Sequence, residues 1–196
     1  MVKESFEYDA NGNITDIDRT KNGTQYDDIK LSLYPNTNRL KKALDNASAN
    51  LGDDIKSGQA ENNYTYDELG NLIHDEQEGI ENITWTLAGK IKTITRKAGI
   101  IKPDLEFVYD AMGHRIIKIV KPRDVNGVKS IGLWDYTYYT YDAQGNQMAI
   151  YSHEIHPAVG GRYSANLKLV EYPIYGSSRI GSKKEDLVIY HSYVNF

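Results

Sequence analysis

The chain of 196 residues contains no cysteine. This absence excludes disulfide bonds and thiolate metal sites, and it leaves the redox compartment open, because a cysteine-free chain suits oxidising and reducing surroundings alike. Long apolar runs are missing too, since no stretch approaches the roughly 18 residues that predict a membrane-spanning helix. Residues 1–6 lack the apolar core of a signal peptide. We therefore expect no membrane span, and we expect any export signal to lie outside this sequence.

Basic residues are few and scattered. The 23 lysines and arginines are outnumbered by 27 acidic residues, and the formal net charge is −4. A nucleic-acid-binding domain normally shows a basic patch or stripe. The pair Lys183-Lys184 is too short to form one. The charge balance therefore predicts that nucleic acid is not a partner.

Tyrosine is the dominant aromatic residue, with 16 copies against 3 phenylalanines and 2 tryptophans. Its ring favours strands, and its polar tip suits a half-buried sheet surface. Such a content of aromatic residues also disfavours disorder. The composition therefore predicts a folded chain rich in β-sheet.

One motif occurs four times, with the pattern aromatic-x-Tyr-Asp-x-x-Gly followed by Asn or His. Its tyrosines are separated by 58, 43 and 32 residues, so the period is irregular, unlike that of a solenoid. The repeated residues are Tyr8, Asp9 and Gly12; Tyr66, Asp67 and Gly70; Tyr109, Asp110 and Gly113; and Tyr141, Asp142 and Gly145.

The motif has a mechanical interpretation. Aromatic residues at positions i and i+2 point to the same face of a strand, because side chains alternate. The aspartate can accept a backbone N–H two residues later, as in a turn. The glycine, three residues after the aspartate, occupies a position that requires a left-handed conformation to form a bulge. Each copy therefore predicts a strand, a tight corner and a second strand, with Tyr packing the sheet, Asp capping the corner and Gly supplying the left-handed residue.

Other segments alternate like strands as well. Turns are predicted at Ala88-Gly89 and at Asn126-Gly127, and about a dozen short strands are expected in all. Besides those of the motif, strands are predicted near residues 13–17, 83–87, 91–96, 116–120 and 131–141. The sequence therefore predicts an all-β fold of consecutive antiparallel hairpins.

Two stretches interrupt this rhythm. Residues 45–61 are small and polar, and residues 152–164 contain Pro157 and two glycines. Both are predicted to be loops. The best short candidate for a helix is the segment 39–44.

The four copies of the motif resemble the Rhs/YD-repeat family of large bacterial proteins, and residues 63–73 match that family's repeat closely. Residues 81–91 resemble the degenerate strand pair that often follows a repeat. Residues 172–181 resemble a segment near the end of the repeat region in Bacteroidetes-type members. The resemblance covers about residues 4–181. It suggests a YD-repeat region over residues 1–181 and a C-terminal extension over residues 182–196.

This resemblance implies a section of a spiralling β-shell at or outside the bacterial surface, secreted or cell-surface-exposed. In the family such shells enclose a cargo, often a toxin, and animal teneurins use a similar shell for adhesion. The closing repeat with self-cleaving aspartates has no counterpart here, so we expect neither the autoprotease nor the toxin in this sequence. The implied partners are the rest of the same shell protein, or a partner chain along open sheet edges, and a polypeptide cargo.

No arrangement of residues indicates catalysis. Adjacent carboxylates such as Asp53-Asp54 would point to opposite faces of a strand, and no phosphate-binding, dinucleotide-binding or nucleophile-elbow motif is present. The aspartates of the motif are candidate calcium ligands, but one carboxylate per corner favours turn capping. The sequence therefore predicts a non-enzymatic structural protein without cofactor or metal.

An alternative interpretation concerns the aromatic surface. Trp85 and Trp134, together with the tyrosines, are candidates for contacts with a glycan or a partner protein. The competing interpretation is cross-strand packing of these rings. A glycan- or protein-binding β module is therefore kept beside the structural hypothesis.

Overall fold

The computed structural model describes residues 1–47, 55, 58–124, 126–127, 133–157, 163–176 and 178–194. Over these residues the chain forms fourteen β-strands and no helix, which confirms the all-β prediction. No helix capable of crossing a membrane occurs in this part of the chain. The strands are β1 Val2–Tyr8, β2 Ile14–Lys21, β3 Thr24–Leu33, β4 Leu40–Asp45, β5 Tyr64–Tyr66, β6 Leu72–Asp75, β7 Ile80–Trp85, β8 Ile91–Arg96, β9 Asp104–Tyr109, β10 Arg115–Lys121, β11 Asp135–Tyr141, β12 Gln147–Pro157, β13 Tyr163–Tyr175 and β14 Arg179–Val194.

Strands that follow each other in sequence also pair in space. The first four form a sheet in the order β1-β2-β3-β4, and the other ten form a sheet in the order β14 to β5 without a crossover. The strands pair in antiparallel fashion, for example β1 with β2, β9 with β10 and β12 with β13. Most neighbouring strands within a sheet are joined by short turns, as β1 is to β2 and β5 to β6, which favours the pairing of sequence neighbours. The prediction of consecutive antiparallel hairpins is therefore confirmed.

The chain divides into two compact units within β7. The N-terminal unit comprises Met1–Asn82 and the C-terminal unit comprises Ile83–Phe196. The N-terminal unit buries the apolar residues Ile29, Ala43 and Ile80. Among the described residues it also buries five polar ones, Asp27, Asp45, Gln59, Asn63 and Asp75.

Asn63 organises one end of the N-terminal unit and is completely buried. Its Nδ2 donates to Oδ1 of Asp75 at 3.0 Å, and its Oδ1 accepts the backbone N–H of Gln77 at 2.8 Å. The same Oδ1 of Asp75 accepts the N–H of Glu78 at 3.1 Å. These bonds compensate for the burial of two polar side chains and fix the turn between β6 and β7.

The C-terminal unit buries mainly small and branched apolar side chains, namely Ile83, Ile119, Ala149 and Ala165. Its buried charge, Asp104, pairs with Arg123 at 2.7 Å, and both side chains are only 4% exposed. Arg123 also donates to the backbone oxygens of Arg96 at 2.7 Å, Lys97 at 2.8 Å and Gly127 at 3.2 Å. One guanidinium therefore joins the end of β8, the start of β9 and the turn at Gly127.

The short helix considered for residues 39–44 is wrong. These residues belong mainly to β4, where Ala43 pairs with Leu31 of β3. Ala43 and Asp45 are both buried while Leu44 between them is only half-buried. Burial with a period of two favours a strand over a helix.

Both ends of the loop predicted over 152–164 belong to strands instead. β12 continues to Pro157 and β13 begins at Tyr163, and residues 158–162 lie outside the described part of the chain. Pro157 is the last residue of its strand, a position where the missing backbone N–H is tolerated. Proline and polar residues were therefore poor markers of a loop here.

The boundary predicted between residues 181 and 182 does not interrupt the sheet. β14 runs across it, because β13 provides a partner on both sides: Gly181 pairs with Ile174 and Ser182 pairs with Pro173. Most of the loop predicted over 45–61 and residues 131–132 of the strand predicted over 131–141 lie outside the described residues. The described part of that strand, β11, begins at Asp135.

Candidate functional site

The four copies of the motif form the same corner. In each, the aspartate N–H donates to the carbonyl oxygen four residues later, at 2.9 to 3.0 Å, and the glycine N–H donates to the aspartate carbonyl at 3.0 to 3.1 Å. The glycines have positive φ angles, 83° at Gly12, 90° at Gly70, 83° at Gly113 and 85° at Gly145. A side chain with a Cβ rarely adopts that conformation. The four aspartates and the four glycines therefore occupy equivalent positions in the four corners.

Each aspartate carboxylate is bonded within its own turn. Oδ1 of Asp142 accepts the N–H groups of Gln144 at 2.9 Å and Asn146 at 2.8 Å, while Oδ2 accepts the Asn146 side-chain amide at 2.9 Å. Asp9 uses Asn11 and Asn13 in the same way. The role of the last residue of the motif was missed by sequence reasoning, although its recurrence as Asn or His was the available signal.

These bonds stabilise the ionised carboxylates. The side-chain hydrogen bond from Asn13 lowers the pKa of Asp9, and those from Asn71 and Asn146 lower the pKa of Asp67 and Asp142. Burial acts to raise the pKa of Asp110, but the hydrogen bonds from His114 outweigh it and the pKa is lowered.

Because both carboxylate oxygens serve their own turn, the geometry favours capping over calcium binding at these corners. Over the described residues, no group of three or more potential metal-ligating side chains is assembled.

The motif tyrosines tie each hairpin to the preceding one. A tyrosine at the end of one strand donates its hydroxyl to the carbonyl oxygen of the first residue of the strand before it. The sequence predicted packing for these rings but not this hydrogen bond. The bonds are Tyr66 to Leu40 at 3.0 Å, Tyr109 to Ile91 at 2.8 Å and Tyr141 to Arg115 at 3.0 Å.

Tyr175 takes part in the same series, although no aspartate follows it. It is the last residue of β13, and its hydroxyl donates at 2.9 Å to the oxygen of Gln147, the first residue of β12. Tyr8, in the first copy of the motif, differs: it lies on β1, at the end of the strand order, and is 59% exposed. Sequence reasoning missed Tyr175, since the only signal was the pair Tyr175-Gly176.

A further corner uses threonine instead of aspartate. Thr86 accepts the N–H of Lys90 on its Oγ1 at 3.1 Å, and its own N–H donates to the Lys90 oxygen at 2.8 Å. Gly89 has a φ of 69° and donates to the Thr86 oxygen at 3.0 Å. The predicted turn at Ala88-Gly89 is therefore another copy of the same corner.

Two adjacent grooves lie on one face of the C-terminal unit. The first has a volume of about 660 Å³ and is lined by Trp85, Phe107 and Tyr109, with Lys90 and Lys92. The second has a volume of about 490 Å³, and its lining includes Lys90, Tyr109, Arg115, Tyr139 and Tyr141. Aromatic walls with a few polar groups are typical of ligand-binding clefts.

Cations cover the aromatic rings of this face. The guanidinium of Arg115 lies 4.6 Å from the ring centre of Phe107, and the Lys90 ammonium lies 5.5 Å from that of Tyr109. Both distances are within the range of cation–π attraction. We call this surface, defined by Trp85, Lys90, Lys92, Phe107, Tyr109, Arg115, Lys118 and Tyr139, the cationic aromatic face.

The structure does not bring Trp85 and Trp134 together. Trp134 lies beneath Lys121, whose ammonium is 4.3 Å from its ring centre and 2.5 Å from a carboxylate oxygen of Glu106. Glu106 precedes Phe107 on β9, so its side chain points to the opposite face. Of the two tryptophans proposed for glycan contact, the one that lines the groove is Trp85.

That opposite face carries an open apolar basin of about 400 Å³, lined by Tyr138, Tyr151, His153, Leu167 and Tyr190. Burial raises the pKa of the Tyr138 hydroxyl.

No protein-family model matches this chain, and a search of curated proteins returns no match. The chain's own geometry therefore carries the functional proposal.

Proposed function

We propose that this chain is a non-enzymatic structural section of a larger shell of the YD-repeat type. The observation that supports this most is the recurrence of one corner with the same hydrogen bonds, joined to its neighbours by tyrosine hydroxyls. The aspartates, glycines and tyrosines that make the sequence distinctive are occupied in holding hairpins together. None of these groups is left pointing at a substrate in the described corners.

The end of the strand order also supports a structural role. β14 has sixteen residues and exposes Ile180, Leu187, Val188, Ile189 and Tyr190 by 47 to 72%. A long edge strand with exposed apolar side chains invites pairing with another strand. The proposed partner is the rest of the same shell protein or a partner chain. A polypeptide cargo, often a toxin in the resembling family, and a location outside the bacterial cell or on its surface belong to the same proposal.

Light scattering coupled to size-exclusion chromatography, with circular dichroism, tests this proposal on the 196-residue chain. We expect a β-rich protein that self-associates, and we expect Leu187→Lys with Ile189→Lys to reduce the association. The matched control is Met112→Lys, at a corner where the side chain is 80% exposed, which should leave association unchanged. A soluble monomer at all concentrations would contradict the proposal and favour an autonomous binding module.

A second candidate function is ligand binding by the aromatic surface. The observation that favours it is the pair of adjoining grooves, in which three aromatic residues of the first groove stand beside two lysines. A ligand that stabilised the folded chain in thermal unfolding would support it.

A further inference from the structure

We infer that the cationic aromatic face binds an anionic carbohydrate, a chain of sugars that carry carboxylates. This inference rests on the second candidate function and names its ligand class. It is carried by the placement of lysines and an arginine beside half-buried aromatic rings on one face of the sheet.

The strand register places these residues on a common face. Phe107 pairs directly with Lys118, and directly opposed residues in an antiparallel pair point to the same side. Thr93 pairs with Glu106, so their neighbours Lys92 and Phe107 share the other side. Lys92 and Lys118 thus lie on either side of Phe107, about 10 Å apart, which is twice the strand spacing.

The aromatic rings of this face provide a surface on which sugar rings can stack. Trp85 shares this face, because Thr84, its neighbour, bonds to Thr93 on the opposite face through hydroxyls 2.6 Å apart. Trp85, Phe107 and Tyr109 line the first groove. Flat aromatic surfaces suit the apolar C–H faces of sugar rings, while the sugar hydroxyls remain in water.

The cations of this face have no carboxylate partner among the described residues. Lys92 and Arg115 are exposed, and Lys90 donates to the backbone oxygen of Gly113. Lys121 and Lys168 of the same unit have carboxylate partners, Glu106 and Asp186. An external anion would supply the negative charge that the cations of this face lack.

Two carboxylate residues line the first groove and both are engaged, Glu106 by its ion pair with Lys121 and Asp110 within its own turn. Asp110 lines the first groove, but its oxygens accept the N–H groups of Met112 at 2.9 Å and His114 at 2.8 Å. Asp135 shares the face of Lys118 by register and stands diagonally across from it, because Lys118 pairs with Thr137 and Val120 with Asp135.

Other macromolecules fit this face less well. A peptide that adds to a sheet needs free backbone groups, whereas β8, β9 and β10 are paired on both sides. Nucleic-acid-binding domains normally have a basic net charge, whereas the net charge of this chain is −4. The flat rings and spaced cations therefore favour an acidic carbohydrate.

Titration calorimetry on the full chain tests the inference with tetramers of galacturonate, mannuronate and glucuronate, each beside its methyl ester. The ester keeps the sugar backbone and removes the charge. We expect at least one acid to bind and its ester to bind at least roughly tenfold more weakly, because each exposed ion pair contributes up to about fivefold in affinity.

Variants locate the site. Lys92→Glu with Lys118→Glu should weaken binding at least roughly tenfold, whereas Lys3→Glu, on the exposed strand β1, should leave it unchanged. Trp85→Leu should weaken binding and Trp85→Tyr should largely restore it, because tyrosine keeps a flat ring. Circular dichroism and thermal unfolding of each variant show whether it is folded.

Three outcomes would overturn the inference: no binding of any acid, equal binding of acid and ester, or equal binding by the Lys92/Lys118 variant. Tighter binding of a single-stranded oligonucleotide than of every uronate would assign the face to nucleic acid instead. None of these outcomes alters the self-association expected of a shell section, so the two proposals fail separately.

Discussion

The two units hold their strands together by different means. In the N-terminal unit the described buried residues are mostly polar, with Asn63 and Asp75 bonded to each other. In the C-terminal unit they are mostly aliphatic, with Asp104 and its partner Arg123 as the buried ion pair. The repeated corner occurs in both units, at Asp9 and Asp67 in the first and at Thr86, Asp110 and Asp142 in the second. The two units therefore share the corner and differ in whether their buried side chains are mainly polar or mainly aliphatic.

The largest expected effect lies in the C-terminal unit. Arg123→Met leaves Asp104 buried without its partner, so we expect a loss of about 3–5 kcal/mol in the free energy of unfolding. Urea denaturation measures it. Arg179→Met is the matched control, because Arg179 pairs with Glu171 at 3.2 Å while 49% exposed. We expect that variant to lose less than about 1 kcal/mol, and similar losses would show that burial does not distinguish the two pairs.

The polar network of the N-terminal unit should come next. Asn63→Leu leaves the N–H of Gln77 and the carboxylate of Asp75 without their partner, and we expect a loss of about 2–4 kcal/mol in urea denaturation. Asn62→Leu changes the neighbouring exposed residue and should cost little. A neutral Asn63→Leu would mean that apolar packing, as in the other unit, can replace this network.

A substitution in the corner itself should reduce the free energy of unfolding by a smaller amount. Gly70 has a φ of 90°, and an added Cβ would lie 3.5 Å from Nη2 of Arg39, an ordinary contact distance. Gly70→Val should therefore lose about 1–3 kcal/mol through backbone strain alone. Glu68→Ala in the same turn should lose several times less. Equal melting temperatures of the two variants would contradict the corner geometry.

The tyrosine hydroxyls should contribute least individually. Tyr109→Phe removes the bond to the Ile91 oxygen, and we expect a loss of about 1 kcal/mol. Tyr8→Phe on the exposed strand β1 should leave the melting temperature unchanged. If both variants behave alike, the hydroxyl bond does not stabilise the hairpin.

Lowering the pH should reduce the stability that the aspartates of the corners contribute. The pKa of Asp67 is lowered from 3.8 in the folded chain, chiefly by the Asn71 side chain. Near and below pH 3.8 the unfolded chain therefore binds more protons than the folded chain. The stability that the ionised Asp67 contributes is present above that pH and is lost as the pH falls through the lower pKa of the folded chain. Melting curves at pH 6 and pH 3 should show the loss, and Asp67→Asn should lose less than the wild type. An equal loss would show that Asp67 does not contribute to the pH dependence.

The sequence predicts the corners well because their chemistry is local. Asp67, Gly70 and Asn71 lie within five positions, so one turn brings them together without help from the rest of the fold. The strands between the corners could be predicted for the same reason, because the alternation of side chains along a strand is also a local pattern. Sequence reasoning missed the hydroxyl bond of Tyr175 because no aspartate follows that tyrosine. It missed the capping role of Thr86 because threonine stands where the motif has aspartate.

Long-range placements could not be predicted in this way. Arg123 meets Arg96 and Asp104 only after β8, β9 and β10 have paired. Trp85 and Trp134 look equivalent in sequence, yet Trp85 lines the first groove while Trp134 lies beneath Lys121. Segment 39–44 contains too few residues to reveal its period before Ala43 is paired with Leu31.

Native-state hydrogen exchange of the wild type and of Tyr141→Phe tests most directly whether each corner and its tyrosine stabilise their own hairpins independently of the rest of the sheet. The hydroxyl of Tyr141 bonds to the oxygen of Arg115 at 3.0 Å. We expect faster exchange in the corner 142–146 and at the start of β10, with the corner 67–71 unchanged. Equal acceleration throughout the sheet, or no acceleration anywhere, would contradict a sheet assembled from locally secured hairpins.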